Sequence, residues 1–230
     1  MIGQSAPNLR RAATRAVVAI SVAFVLLIPA PVAAGRAAPL VFNARDGFQV
    51  SPNQANPSGV WSYREKHKDG TYPLLTNFDA SLSDVDGMEG WFGSEGPPWY
   101  LPAVWYNNSG IDQPVCCPTS PLPAGGLFAH PGGSYPVVIR WTSPRAGVVS
   151  IRLGLIDRDM LLGDGIAWSI GKPHHPVVSG AFGNGGQLEP IVIRIRVQAH
   201  DRIDLKINRG PTTNSADTTQ VDETITLYPN

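Results

Sequence analysis

Aromatic residues gather in one stretch of the sequence that has no regular hydrophobic period. The irregular part runs from residue 79 to residue 98 and contains a Gly-Pro-Pro run, and a strand signal follows at 102–106. Sugar rings present faces of C–H bonds, and indole and phenol rings offer flat apolar surfaces with a polar edge. Stacking on a sugar is therefore one role for these rings, and packing in the core is the alternative for any that lie on a strand. The candidate ligand-binding residues are Trp91, Trp99, Tyr100 and Trp105.

Three aspartates further along the chain could supply oxygen ligands to a metal ion. Asp157, Asp159 and Asp164 precede Gly165 with a spacing similar to that of a calcium-binding loop. The spacing does not fit an EF-hand, and no glutamate closes the loop. The alternative is a polar hairpin turn in which the aspartates cap their own backbone. Ca²⁺ is the one cofactor that this pattern suggests.

A carboxylate pair for glycoside cleavage is a further possibility, because hydrolysis needs an acid and a base or nucleophile on opposite sides of the bond. The alternative is a set of solvated surface acids. The candidate carboxylates are Asp84, Asp86, Glu89 and Glu95.

Two adjacent cysteines, Cys116 and Cys117, are the only cysteines in the chain. They could form a vicinal disulfide, pair with another molecule or stay reduced. A long-range disulfide within one chain is excluded.

Alternating hydrophobicity predicts the elements that position these residues. Apolar side chains recur at every second position in the segments 149–155, 166–170, 191–197 and 203–207. A strand points successive side chains to opposite faces, so each segment has one buried and one solvated face. Gly-rich and Pro-containing turns separate the segments. We expect an all-β fold, an antiparallel two-sheet β-sandwich of the jelly-roll type.

The outward positions of these strands carry a row of cations. Arg152, Arg194, Arg196 and Lys206 fall between the apolar positions. A solvated face is the simpler interpretation, and contact with an acidic glycan is the alternative.

The N-terminal sequence has the features of a secretory signal peptide. Arg10, Arg11 and Arg15 precede an apolar stretch that ends before Val32-Ala33-Ala34. We predict a signal peptide at 1–34, an N-terminal segment at 35–59 and a sandwich domain at 60–230. Residues 35–230 contain 15 basic and 18 acidic residues, a net charge of −3. This balance disfavours nucleic acid as a partner, and no second apolar stretch is long enough to span a membrane.

Several short motifs resemble those of jelly-roll β-sandwich domains of exported bacterial proteins, which are similar to carbohydrate-binding modules. The motifs lie between Val60 and Leu227 and are Trp61-Ser62-Tyr63, His130-Pro131-Gly132, the segment 138–144, the segment 163–166, the segment 201–204 and Asp217-Thr218-Thr219. The resemblance implies an extracytoplasmic, non-catalytic domain that binds a polysaccharide or a cell-surface glycan. Two alternatives stay open, a glycoside hydrolase or polysaccharide lyase and a structural envelope or matrix protein. The sequence does not define the oligomeric state.

Overall fold

The computed structural model describes residues 37–82, 85–97, 100–114, 121–160 and 162–230. Within these ranges the chain forms fifteen β-strands. No helix in the same ranges is long and apolar enough to cross a membrane. The strands are β1 (Leu40–Asn43), β2 (Trp61–Glu65), β3 (Asn77–Asp79), β4 (Met88–Phe92), β5 (Ala103–Asn107), β6 (Gln113–Pro114), β7 (Pro121–Leu122), β8 (Leu127–His130), β9 (Val137–Thr142), β10 (Gly147–Asp157), β11 (Ile166–Lys172), β12 (His175–Phe182), β13 (Gln187–Val197), β14 (Arg202–Arg209) and β15 (Thr219–Pro229).

Two antiparallel sheets make up the sandwich. The large sheet has the order β13-β10-β15-β8-β5-β4-β3, and β1 pairs with β15. The small sheet has the order β12-β11-β14-β9-β2, and β6 and β7 form a separate ribbon. From β8 onward the chain passes repeatedly between the two sheets, as in a jelly roll. The predicted all-β antiparallel sandwich is confirmed.

The inward faces of the sheets form the core that the alternation predicted. Val149, Ile151 and Leu153 of β10 are fully buried, and Leu205 and Trp141 lie in the same cluster on the small sheet. Burying apolar surface in this way stabilises the fold by about 25 cal/mol per Å². A shift of one residue in register would exchange these side chains for polar and charged ones such as Ser150 and Arg152, so the pairing is strongly specified.

A smaller apolar cluster covers the other face of β4, β5 and β8. It comprises Met88, Phe92, Ala103, Trp105, Leu122 and Phe128. Trp105 is only 4% exposed and stacks on Phe128 with ring centroids 6.2 Å apart. This part of the large sheet is therefore covered on both faces.

Four details differ from the sequence prediction. The segment 35–59 contributes β1 and the buried residues Ala44 and Phe48, so the sandwich begins before residue 60. The segment 79–98 contains the strand β4, whose Gly90 weakens the alternating pattern. The segment 71–77, whose Thr, Tyr and Leu residues favour a strand, forms only a single bridge between Leu74 and Arg64 and the first residue of β3. The edge strand β12 lacks a buried face and was not predicted.

The predicted row of cations divides between the two sheets. Arg194 and Arg196 lie on β13 and Arg152 lies on β10, all exposed on the large sheet. Lys206 lies on β14 in the small sheet, where it contacts the Tyr72 ring at 5.6 Å. The cations therefore form two separate surfaces.

A buried ion pair joins β9 to β14 on the outward face of the small sheet. The Arg140 guanidinium donates from Nε and Nη2 to the two carboxylate oxygens of Asp204, at 2.6 and 2.9 Å. Their side chains are 4% and 0% exposed. The Tyr72 ring lies 4.7 Å from the guanidinium and covers it. Since the pair is bidentate and shielded from water, loss of one partner leaves an uncompensated buried charge.

We expect Asp204→Asn to lower the free energy of unfolding by about 3 kcal/mol, because Arg140 keeps its charge without a carboxylate partner. Urea denaturation measures the loss. Asp222→Asn is the matched control, because its pair with Arg152 is half-exposed, and its loss should stay below about 1 kcal/mol. Equal losses in the two variants would contradict the role assigned to Arg140 and Asp204.

Candidate functional site

Five loops meet at one end of the sandwich, which we call the loop end. Ala103 pairs with His130, and Ala129 pairs with Thr219, so the loops that precede β5 and β15 and the loop that follows β8 are neighbours at one edge of the large sheet. In the small sheet Ile166 pairs with both Phe182 and Arg209. The five loops are 93–102, 131–136, 158–165, 183–186 and 210–218.

Glu95 fastens the first of these loops to the second. Its carboxylate accepts hydrogen bonds from the backbone N–H groups of Gly133 at 2.7 Å, Ser134 at 2.7 Å and Tyr135 at 3.0 Å. Hydrogen bonds to an ionised acceptor are about twice as strong as neutral ones. Arg209 donates from Nε to the Gly133 carbonyl at 3.0 Å and thereby connects the same loop to the end of β14.

A second carboxylate, that of Glu65, also anchors the loop 93–102. Glu65 is 2% exposed, and it accepts hydrogen bonds from the Ser94 backbone N–H at 3.0 Å and the Ser94 hydroxyl at 2.6 Å. His67 Nε2 lies 2.6 Å from the same carboxylate, and its ring stacks on Tyr135 at 4.2 Å. Two carboxylates therefore fix this loop at adjacent residues, Ser94 and Glu95.

Tyr100 is the exposed aromatic residue that this loop carries. Its side chain is 48% exposed, and its backbone φ is +44°. Its N–H donates to the Gly96 carbonyl at 3.3 Å, and its carbonyl accepts from the Gly93 N–H at 3.0 Å. A left-handed conformation is unusual for an aromatic residue and persists where surrounding contacts enforce it. The loop thus holds an aromatic ring in solvent on a fixed backbone.

The three aspartates that the sequence offers as metal ligands accept hydrogen bonds from loop backbones. Asp157 accepts from the Asp159 N–H at 3.0 Å and the Gly185 N–H at 3.1 Å, and Asp159 accepts from the Thr218 N–H at 3.1 Å. Asp164 accepts from the Thr212 N–H and hydroxyl at 2.6 and 2.5 Å. In the part of the chain that the structure describes, no group of three acidic, histidine or cysteine side chains is arranged to hold a metal ion. These hydrogen bonds are the contacts that the capping alternative predicts.

Carboxyls at the loop end and in the core have raised pKa values. Burial, together with the negative charge of Asp164, raises the pKa of Asp217 to about 7. Burial raises the pKa of Asp157 to about 6. Glu223 faces the sandwich core, where burial raises its pKa to about 8. Burial acts in the opposite direction on His130, whose pKa is lowered.

A shallow hollow of about 620 Å³ adjoins the loop end on the small sheet. Ala167 and Ala181 form its floor beside Asn208, and Asp164 and Arg209 lie at its rim. The sequence analysis assigned no binding role to Asn208 or Arg209. The turn sequence Asn208-Arg209-Gly210-Pro211 indicates the end of a strand. It is the one sequence feature that could have placed Asn208 and Arg209 beside a loop.

The structure brings only part of the predicted aromatic set to the loop end. Tyr100 lies there, whereas Trp105 is buried in the smaller apolar cluster and is not retained in the ligand site. Trp91 is partly buried, packs against the main core and contacts Phe78 at 5.0 Å between ring centroids. Trp99 lies outside the described residues, as do Cys116 and Cys117.

Among the candidate carboxylates for glycoside cleavage, Glu89 and Glu95 lie apart from each other. Glu89 is 5% exposed and accepts the Ser51 N–H at 2.5 Å, near the beginning of β4. Glu95 follows the other end of that strand, with its oxygens engaged by the loop 131–136. Asp86 precedes β4 on the Glu89 side, and Asp84 lies outside the described residues. Glu89 and Glu95 therefore act at opposite ends of the strand.

No protein-family model and no curated protein matches the sequence. Among solved structures, the chain is similar to the CBM51 module of Clostridium perfringens GH95 in complex with methyl-galactose, with 10% identity and a TM-score of 0.37 over 81% of this chain and 99% of that one. It is also similar to a family 35 carbohydrate binding module from Clostridium thermocellum, with 8% identity and a TM-score of 0.29 over 83% and 98% of the two chains. A third is the module CBM6cm-2 of Cellvibrio mixtus lichenase 5A in complex with cellotriose, with 12% identity and a TM-score of 0.29 over 53% and 89%. All three are carbohydrate-binding modules, the class that the sequence motifs resemble.

Replacing Glu95 by alanine should free the loop 131–136, because three backbone N–H groups lose their shared acceptor. We expect amide hydrogen exchange at Gly133, Ser134 and Tyr135 to rise roughly 30-fold, for a loss of about 2 kcal/mol of local stability. The Thr218 amide, which is bonded to Asp159, is the internal control and should keep its rate. Unchanged exchange at all three loop amides would show that Glu95 does not hold the loop.

Asp217→Asn should remove part of the pH dependence of stability. A carboxyl with a raised folded-state pKa contributes stability that is complete below its unfolded pKa and is lost as the pH rises toward its folded pKa. For Asp217 the folded value is about 7. The free energy of unfolding of the variant should therefore rise relative to that of the wild type as the pH increases from about 4.5 to about 7. The slope of this difference should reach roughly 1 kcal/mol per pH unit.

Urea unfolding of both proteins across this range measures the difference. His130 makes stability depend on pH in the opposite direction, because its pKa is lowered. Its contribution is the same in the variant and the wild type, so it cancels when their free energies of unfolding are subtracted. If the difference in free energy of unfolding between the two proteins stays constant with pH, burial does not raise the pKa of Asp217, and the prediction is wrong.

Proposed function

We propose that this chain is an exported, non-catalytic carbohydrate-binding domain whose ligand site is the loop end. One observation carries the proposal, namely the exposed Tyr100 ring on a loop that Glu65 and Glu95 anchor. A stacking platform works best when its conformation is fixed before the ligand arrives, since less entropy is then lost on binding. The predicted signal peptide at 1–34 supports export.

Other groups at the loop end suit a polyhydroxylated ligand. The Asn214 amide lies beside Gly133 and Glu95, where it can exchange hydrogen bonds with sugar hydroxyls. Met160 and Leu162 expose apolar side chains at the same end of the sandwich, 60% and 62% exposed respectively. Trp99 precedes Tyr100 in the loop and is included in the proposal as a second stacking residue.

The two alternative functions make different demands on the chain. A glycosidase needs two carboxyls on opposite sides of one bond, and the separation of Glu89 from Glu95 gives no support to that pair. A structural matrix protein would have no glycan preference and would use Cys116 or Cys117 for intermolecular disulfides. A screen for glycan binding combined with non-reducing electrophoresis separates these possibilities.

Tyr100→Ala should weaken binding to the neutral glycan that the wild type selects from an array. A sugar face that covers about 80 Å² of the ring contributes about 2 kcal/mol, or roughly 30-fold in Kd. Tyr100→Phe is the matched control and should retain most of the affinity, because it keeps the ring. Titration calorimetry measures both.

Two results would overturn the assignment of the site. One is a wild-type protein that binds no glycan on the array. The other is a Tyr100→Ala variant that binds its glycan with unchanged affinity.

A further inference from the structure

A separate surface of distinctive chemistry lies on the outer face of the large sheet. There β13, β10 and β15 run side by side, and their register aligns side chains in rows across the three strands. The first row is Arg194, Ser150 and Thr226, and the second is Arg196, Val148 and Tyr228. We call these six residues the arginine–tyrosine face.

Its two arginines are exposed and have no acidic partner. Neither Arg194 nor Arg196 takes part in an ion pair among the described residues. Arg152, on the adjacent strand, differs because it pairs with Asp222 at 2.5 Å. Residues two apart on one face of a strand lie about 6.6 Å apart. Two unpaired positive charges at this spacing favour the approach of an anion.

Tyr228 adds an exposed ring to the same face. Its side chain is 48% exposed, equal to that of Tyr100 at the loop end. Tyr228, Arg194 and Ser150 line a hollow of about 770 Å³ together with residues 37–39. Ligand sites for small molecules commonly measure about 300–1,000 Å³, so a sugar unit of one or two rings fits this space.

We propose that the arginine–tyrosine face is a second binding site, specific for sugars that carry a carboxylate or a sulfate group. The sugar ring stacks its C–H face on Tyr228. The acidic group accepts hydrogen bonds from the guanidinium of Arg194 or Arg196, whose planar donors match carboxylate and sulfate oxygens. The hydroxyls of Ser150 and Thr226 lie in the same row for the remaining polar contacts.

Titration calorimetry on the full chain tests this site with three oligosaccharides of equal length. The probes are an oligogalacturonate, a sulfated galactan oligosaccharide and a neutral galactan oligosaccharide. We expect at least one acidic probe to bind tenfold or more tightly than the neutral one, and its affinity to fall as salt is added. The probe that binds distinguishes a uronate from a sulfated sugar.

Variants locate the binding on the sheet. Arg194→Gln combined with Arg196→Gln should weaken binding of the acidic probe by tenfold or more, and Tyr228→Ala should weaken it likewise. Arg152→Gln is the matched control and should change the affinity less than twofold, because Asp222 already occupies that guanidinium. These side chains are exposed, so the circular dichroism spectrum and Tm should remain those of the wild type.

Three outcomes would overturn the inference. The first is equal binding of neutral and acidic probes, and the second is an arginine double variant with wild-type affinity. The third is loss of acidic-probe binding in Tyr100→Ala together with full binding in Tyr228→Ala. That third result would place the ligand at the loop end, and so would leave the proposed function intact while removing the second site.

Discussion

Face-to-face packing of the two sheets is the constraint on which the rest of the molecule depends. The inward side chains of β10 and β15 in the large sheet pack against those of β9 and β14 in the small sheet, and Ile151, Leu205 and Ile225 are fully buried between the layers. Because side chains alternate along each strand, the burial of one face fixes which residues point outward. The positions of Arg194, Tyr228 and the ion pair of Arg140 follow directly from this core.

The loop end adds polar anchoring to that apolar frame. Each loop that bears a candidate function is held by a carboxylate that accepts backbone N–H groups. Glu95 holds the loop 131–136, and Asp157 and Asp164 hold the neighbouring loops. Carboxylates in this role satisfy donors that a loop would otherwise leave unpaired. In the loop 93–102, the left-handed backbone of Tyr100 is held by its hydrogen bonds with Gly93 and Gly96.

The strands with strict alternation could be predicted from the sequence, because each has one wholly apolar face. The pattern in 149–155 and 203–207 identified β10 and β14, whereas β12 escaped prediction because it is an edge strand with both faces largely exposed. The strand β4 was missed for another reason. Its Met-Glu-Gly-Trp-Phe sequence buries residues on both faces, one toward the main core and one toward the smaller cluster.

The candidate site was only partly predictable, because long-range contacts define it. The sequence identified Tyr100 as a candidate for stacking on a sugar, but it could not distinguish Tyr100 from Trp105. Trp105 is buried against Phe128, which comes from β8. The spacing of Asp157, Asp159 and Asp164 is compatible with a metal loop and with a set of caps. The donors that these carboxylates engage come from Gly185, Thr212 and Thr218, and no local pattern reveals them.

The central claim is that a glycan contacts the loop end, and NMR chemical-shift mapping tests it most directly. Amide spectra of the isotope-labelled chain would be recorded while a neutral oligosaccharide selected by the array is added. The account predicts shifts at residues 93–97, 131–136 and 210–218, with little change at the opposite end around Ser143 and Asp201. Shifts confined to that opposite end, or none at saturating sugar, would contradict it.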